Sequence, residues 1–420
     1  MNIPALRIAT CILLFTSLAS AENWPRFRGP NGSGVAENID FPESWKDNDY
    51  AWKVDVPGIG HSSPVIWGDM IFLQSGSKDG SQRIAMSFEA KTGKVRWTHY
   101  LDSKQHKKHG RNSFGSSTPA ADETGVYMAW GSPEGNTLSK FTHDGVRLWE
   151  AKLGPYQCNH GPAISPMVIG DLVICPMLQG AYRTQRPGPG EVAKPGTILA
   201  FNRQTGKPAW QATMGSGKAS FSVPCIHNTP GGPELVCCNT ANGMFGLDPK
   251  TGEETWSLGV FKQRTVSSPI VAGDLLIGST GSGGGGNYVV AVDPKDATPE
   301  EKFRFRKQAP YVPTPVYHNG LLFLWSDKGI ASCIEIESGD TLWSERASGP
   351  MSGSPICVSG RLIGVDEEGT VTVLDAARTY RKLGQTKLPG PSRATPAAAQ
   401  GRVFFRTETQ LMALGSGSKS

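Results

Sequence analysis

The chain is short of charge, of long apolar runs and of concentrated basic stretches. Charged residues make up only 19% of its 420 positions, and no stretch beyond the N-terminus approaches the ~18 apolar residues that span a bilayer. No transmembrane segment is therefore expected. The formal net charge is +5, spread along the chain without a basic run, so nucleic acid is not an expected partner. Histidine and cysteine spacings match no zinc site, and no metal is expected. The glycine run "STGSGGGGNY" at 279–288 lacks the lysine and helix pattern of a phosphate cradle and reads as a loop. What the chain does hold in excess is glycine (51) and proline (31), the profile of many short strands and turns.

The first 24 residues, "MNIPALRIATCILLFTSLASAENW", carry one arginine, an apolar run and the small-x-small triplet Ala19-Ser20-Ala21. This predicts a signal peptide over 1–21, cleaved near Ala21, and a secreted or periplasmic protein soluble after cleavage. Cys11 lies inside the apolar run and not at a cleavage point, so it does not read as a lipid anchor.

A residue followed by proline recurs in "SSPVIWGDMIF", "SSTPAADETGVYM", "ISPMVIGDLVI", "SVPCIHNTP", "SSPIVAGDLLI", "PTPVYHNGLLF", "GSPICVSGRLI" and "ATPAAAQGRVFF". These segments place Pro64, Pro119, Pro166, Pro224, Pro269, Pro315, Pro355 and Pro396 in register and mark eight units of 40 to 58 residues. In six of them a two-residue hairpin pair follows, such as Gly68-Asp69 or Asn319-Gly320. An alternating apolar run, a turn such as Thr-Gly, and a tryptophan strand complete four strands per unit. The tryptophan stands 12 to 14 residues before the next proline at Trp210, Trp256 and Trp343, and the same spacing assigns the slot to Phe303 and Leu383. Trp97 and Trp149 are further members. Trp52 obeys the rule with no unit in front of it, and the last unit stops after three strands. The two fragments complete each other: segment 50–56 is expected to be the fourth strand of the blade made by 392–414. The prediction is an all-β, eight-bladed propeller over 50–415, preceded by an extension (22–49) packing on it and followed by a flexible tail (416–420).

The turns "KTGKVRW", "QTGKPAW" and "KTGEETW" resemble the tryptophan docking motif of pyrroloquinoline-quinone-type (PQQ-like) propeller repeats, found in quinoprotein dehydrogenases and in the barrel-assembly lipoprotein BamB. The opening "NWPRFRGPNGSGVA" is similar to the segment preceding such propellers in secreted repeat proteins. The resemblance implies structural slots, with the indole packed between adjacent blades, at Trp52, Trp97, Trp149, Trp210, Trp256 and Trp343, and the spacing puts Phe303 and Leu383 in the two remaining slots. Because the chain shows no lipid-attachment cysteine, a barrel-assembly role is not carried over.

A quinoprotein dehydrogenase would, by the same resemblance, need a quinone, a calcium ion and a carboxylate base near the central mouth. The six residues before each proline, which should converge on that mouth, contain no aspartate and no glutamate. Asp79, Glu134, Glu191, Asp327, Glu367 and Glu408 fall in the neighbouring loop set and read as solvated charges. Cys237-Cys238 invites comparison with the vicinal cysteines of quinoprotein alcohol dehydrogenases, but adjacent strand residues point to opposite faces. Aligning the hairpin across "NTPGGPE" instead sets Cys225 opposite Cys237, a candidate disulfide beside the reading of buried free thiols. No catalytic residue is assigned. His61, His160, Lys218, Arg264 and Arg393 fall in the windows, with Arg111 and Asn112 just ahead of one. They are either loop side chains serving their own blades or a ligand surface. The insertion at 178–196 reads as a lid or a loop. The expected function is non-catalytic binding of a protein segment or anionic polymer or peptide in the cell envelope, by a monomer without a cofactor. The alternative is a quinone-dependent oxidoreductase using PQQ and calcium, and a third reading is a carbohydrate-active propeller.

Overall fold

The computed structural model describes residues 23–156, 158–180, 195–215, 217–295 and 298–415. The signal-like segment 1–21, positions 181–194 of the insertion and the 416–420 tail lie outside the described residues. Eight four-stranded antiparallel blades form a ring. Blade 1 runs Val65–Trp67, Met70–Gly76, Gln82–Glu89 and Val95–Asp102, from axis to rim. Blades 2 to 7 repeat the plan with inner strands beginning at Ala120, Met167, Cys225, Ile270, Val316 and Ile356. Blade 8 combines Ala397–Ala399, Arg402–Arg406 and Gln410–Leu414 with Tyr50–Asp55, Trp52 pairing with Ala413 and Val54 with Leu411. The ring is thus closed by the strand its sequence left over.

Each inner hairpin is a two-residue turn, including Glu123-Thr124 and Pro230-Gly231 in the two units where no such pair was expected. The second of these corrects the cysteine pairing. With the turn at Pro230-Gly231, Cys225 lies opposite Val236, and Cys237 falls one residue out of register, on the other face of the sheet. Cys225 and Cys237 therefore make no disulfide, and all seven cysteines of the described chain are free thiols.

The repeated turn-and-tryptophan motif has a direct physical cause. Four of the six indoles on outer strands lie over a glycine in the turn of the following blade: Trp52 on Gly93, Trp97 on Gly145, Trp149 on Gly206 and Trp210 on Gly252, while Trp343 meets a turn without glycine and donates to Ala377 O (3.0 Å). These glycines have φ between 68° and 90°, and a Cβ there would stand within 2.5 to 2.7 Å of the ring. Only glycine satisfies both demands. The indole N–H then donates to a carbonyl of the same turn, as Trp97 does to His143 O (2.7 Å) and Trp210 to Pro249 O (3.0 Å). Phe303 occupies the same place over Gly339. Trp256 departs from the pattern: the next blade lacks a Thr-Gly turn, and its N–H binds Glu234 of its own blade (3.1 Å). Leu383 lies in a strand covered by the extension, where the Trp45 amide donates to Thr386 Oγ1 (3.0 Å).

At the axis a second belt ties the blades. The residue before each proline donates its amide to the hydroxyl of its counterpart one blade on: Ser63 to Thr118, Thr118 to Ser165, Val223 to Ser268, Ser268 to Thr314, Thr314 to Ser354, Ser354 to Thr395, and Thr395 back to Ser63, all at 2.9 to 3.1 Å. Only the step from Ser165 lacks this bond, because its counterpart, Val223, has no hydroxyl. The closing seam is reinforced by buried Arg406, which donates to Ser62 O and Gln74 O, and by Arg402, which donates to Ala90 O.

The extension crosses the face opposite the mouth. Trp24 exchanges backbone hydrogen bonds with Ile66, Pro25 O accepts the Ala121 amide, and Arg26 reaches Pro224 O. Arg28, fully buried, donates to Thr314 O, Pro315 O and Pro355 O. Val35–Ala36 then adds a parallel strand to Ile356–Val358. One short segment so touches inner strands from blade 1 round to blade 7 and plugs the axis.

Three substitutions test this arrangement by urea denaturation. Ser63→Ala removes the closing acceptor and should cost about 1–3 kcal/mol, whereas Val223→Thr supplies the missing hydroxyl and should stabilise by up to about 1 kcal/mol. Trp256→Ala should cost about 3–5 kcal/mol, as truncation of a packed aromatic does.

Candidate functional site

Alternation along the segments before the prolines sends every second residue to the axis. The hydroxyl belt is one layer. Two residues earlier lies another: Ala163, Phe221, Val266 and Val312 from blades 3 to 6, and Ser352, Arg393, His61 and Ser116 from the joints leading into blades 7, 8, 1 and 2. Half of this ring is apolar and half is polar or cationic. Together with Phe27 of the plug, the two layers line an axial cavity of about 1310 Å³. It opens between the loops and ends at the extension, so it is a funnel with a floor.

Of the expected site residues, His61, Arg111, Asn112, His160, Arg264 and Arg393 all line this funnel, and Lys218 does not. The Lys218 ammonium hydrogen-bonds the Gln263 side chain. Sequence reasoning missed Arg306, Lys328 and Arg346, which are exposed on blades 5 and 6 and line the same opening. It also passed over the stretch "KQHKKHGRN" (104–112), a genuine basic cluster with Lys104, Lys107, Lys108 and Arg111. This strap is anchored by Phe114, whose ring takes cation–π contacts from Arg83 (4.8 Å) and Lys108 (5.1 Å). From there it crosses to His160, where the His109 amide and the Asn112 side chain both donate to His160 O (3.1 and 2.7 Å). Asn112 is thus a tie holding the strap. A count of lysine, arginine and histidine over ten-residue windows would have found it.

The charges in the funnel are unevenly partnered. Arg393 pairs with Glu367 (3.2 Å) and Glu408 (3.6 Å), and Arg111 approaches Glu367 at 3.7 Å. Glu367 was read as solvated, yet its side chain is only 14% exposed. Burial opposes its ionisation, and Ser352, Arg393 and Arg111 outweigh that cost, leaving its pKa below the usual carboxylate value. Asp327 departs from the solvated reading as well. Burial raises its pKa, while both its oxygens accept backbone amides, from Tyr311 (2.6 Å) and Val312 (3.1 Å). Asp79 and Glu134 are exposed as expected, and Glu191 lies outside the described residues. On blades 5 and 6, Arg264, Arg306, Lys328 and Arg346 have no carboxylate within salt-bridge distance among the described residues. Arg264 donates instead to Tyr311 Oη (3.3 Å) and faces His160 Nε2 (3.2 Å).

The two histidines of the funnel resist protonation. Burial, then Arg406, Arg393 and Lys108, hold His61 down to about 3, and burial, Arg264 and His109 hold His160 down to about 4. Both stay neutral at pH 6, so neither adds positive charge there.

The donor set does not make a calcium–quinone centre. Calcium takes six to eight oxygen ligands, carboxylates prominent among them. The only carboxylate lining the funnel among the described residues is Asp327, whose oxygens are already engaged, and the described residues hold no cluster of three or more histidine, cysteine, aspartate or glutamate side chains placed to bind a metal. Cys237 and Cys238 are buried within their blade and lie off the funnel.

The architecture defines a PQQ-like eight-bladed propeller. The sequence profile of the family described as outer membrane protein assembly factor BamB matches residues 44–183, 194–300 and 286–417, and the chain belongs to that family. It is 25% identical over 285 residues to the BamB of Burkholderia pseudomallei (strain K96243), covering 59% of this chain and 67% of the relative. In fold it is similar to the crystal structure of BamB from Moraxella catarrhalis (TM-score 0.62, 14% identity, 88% of this chain and 98% of that one). It is also similar to the quinohemoprotein alcohol dehydrogenase of Comamonas testosteroni (TM-score 0.65, 12% identity, 95% and 81%).

The charge states carry a pH prediction. The unfolded chain protonates His61 and His160 below about pH 6.5, whereas the folded chain resists until about pH 3 to 4. Their contribution is therefore fully present above pH 6.5 and declines as pH falls toward 4. Imidazole resonances of both residues should not shift between pH 7 and 5. A midpoint near 6 for either would contradict the assignment.

Proposed function

We propose that this protein is a non-catalytic binding propeller of the cell envelope that draws an acidic protein segment into its axial funnel. The observation that carries this reading is the uncompensated part of the lining: Arg264, Arg306, Lys328 and Arg346 line the cavity with no carboxylate within salt-bridge distance among the described residues, whereas Arg393 and Arg111 are paired with Glu367 and Glu408. A concave site of one sign concentrates ligands of the other and speeds their capture. The relatives named for outer-membrane assembly support an envelope setting and a protein partner. Among the described residues, no helix is long and apolar enough to cross a membrane. Among the described residues the funnel lining holds one carboxylate, Asp327, and not the pair that glycoside hydrolysis uses. The quinone reading lacks a calcium donor set, and no step is derived through it.

Calorimetry of glutamate-rich peptides tests the proposal. Binding should weaken severalfold from about 0.05 to 0.5 M salt, because exposed charges are screened over that range. Arg264→Ala/Arg306→Ala/Arg346→Ala should abolish most of it without lowering the melting temperature. Equal binding by the triple variant, or a stoichiometric quinone spectrum on adding PQQ and calcium, would contradict the proposal.

A further inference from the structure

The funnel has three properties that an acidic surface segment alone does not use. It ends at Phe27 and the buried extension, so a strand cannot pass through it. Its inner ring is divided, with Phe221, Val266 and Val312 on one arc and His61 and Arg393 on the opposite one. Its cations occupy two levels: Arg393 is in the ring, its side chain 24% exposed and its two terminal nitrogens paired with Glu367 and Glu408 so that only Nε is left to a ligand, while Arg306, Lys328 and Arg346 are exposed at the opening. The polar arc also holds unused hydrogen-bonding capacity, since the Arg393 Nε donor and His61 Nδ1 are buried without a hydrogen-bond partner. Buried polar atoms of this kind are uncommon and call for a partner.

We infer that the funnel receives the free carboxyl end of a polypeptide whose last side chain is apolar. This rests on the binding reading and specifies what enters. The closed floor selects a chain end over a through-running strand. The terminal side chain lies on Phe221, Val266 and Val312, and the terminal carboxylate turns to His61 and Arg393 across the ring. Acidic residues further back meet the cations at the opening. A cavity of about 1310 Å³ exceeds the ~300–1,000 Å³ of ordinary small-molecule sites and holds several residues of an extended chain.

Fluorescence anisotropy with short N-terminally labelled glycine–serine–glutamate peptides decides the matter. A peptide ending in leucine with a free carboxylate should bind about tenfold or more tightly than its C-terminal amide, because a hydrogen-bonded charge is lost. It should likewise exceed the same peptide ending in serine and the same peptide extended by three glycines beyond the leucine. Val266→Thr, which keeps volume and adds a hydroxyl, should weaken leucine-ended binding about tenfold and spare the serine-ended peptide. Phe221→Ser should do the same, and Val266→Thr decides if Phe221→Ser melts early. Equal binding of the amide or the extended peptide overturns the chain-end inference while leaving the anion-binding reading intact. Hexanoate binding as tightly as the leucine-ended peptide overturns a polypeptide as the occupant. Failure of every acidic peptide overturns both readings.

Discussion

The amide-to-hydroxyl belt around the axis is the constraint on which the other features depend. Each blade has two apolar faces and no stability alone, so the ring must close and do so at one diameter. A hydrogen bond from seven of the eight residues before a proline to the counterpart one blade on sets that diameter at the inner rim, while the indole-on-glycine contacts set the spacing further out. Because the belt fixes one residue of each segment, alternation fixes the residue two positions earlier. The divided ring of the funnel is therefore a consequence of the closure machinery, and its chemistry can vary without disturbing the bonds beneath it.

The N-terminal extension turns a ring into a vessel. Its two buried arginines satisfy carbonyls of blades otherwise joined only through their neighbours. Desolvation lowers the Arg28 pKa to about 9, yet it remains charged at neutral pH and needs those carbonyls. At the mouth the cations are instead partly exposed and unevenly paired. Glu367 and Glu408 neutralise the side next to blade 8, which leaves blades 5 and 6 to supply the uncompensated positive field. An acidic segment of the kind proposed would thereby be oriented as well as attracted.

The architecture was legible because it repeats. Prolines in register, hairpin pairs and an orphan Trp52 were enough to give eight blades and the closing strand, and the structure reproduces both. Six of the seven mouth residues were legible by the same register. What failed depended on three-dimensional proximity. The Glu367–Arg393 pair joins loops 26 residues apart, and a charge count by window cannot see it. The depressed His61 pKa comes from burial and from Arg406, a strand residue more than 300 positions away, and that of His160 from burial and from Arg264, about 100 positions away. Cys225 and Cys237 were mispaired by one residue because the turn at Pro230-Gly231 is tighter than its glycine- and proline-rich sequence suggested. The division of the inner ring was readable in principle, since the third residue before each proline is an alternation position. It becomes meaningful only once the blades are set side by side.

The central claim is that the axial funnel, and not an outer blade edge, is where this propeller binds. Methyl NMR during titration with an acidic peptide tests it most directly, because Ala163, Val266 and Val312 report from the funnel wall and Val146 and Leu148 from the exposed rim of blade 2. The account predicts that the funnel methyls shift with increasing peptide while the rim methyls stay in place. Shifts confined to Val146 and Leu148 would contradict it.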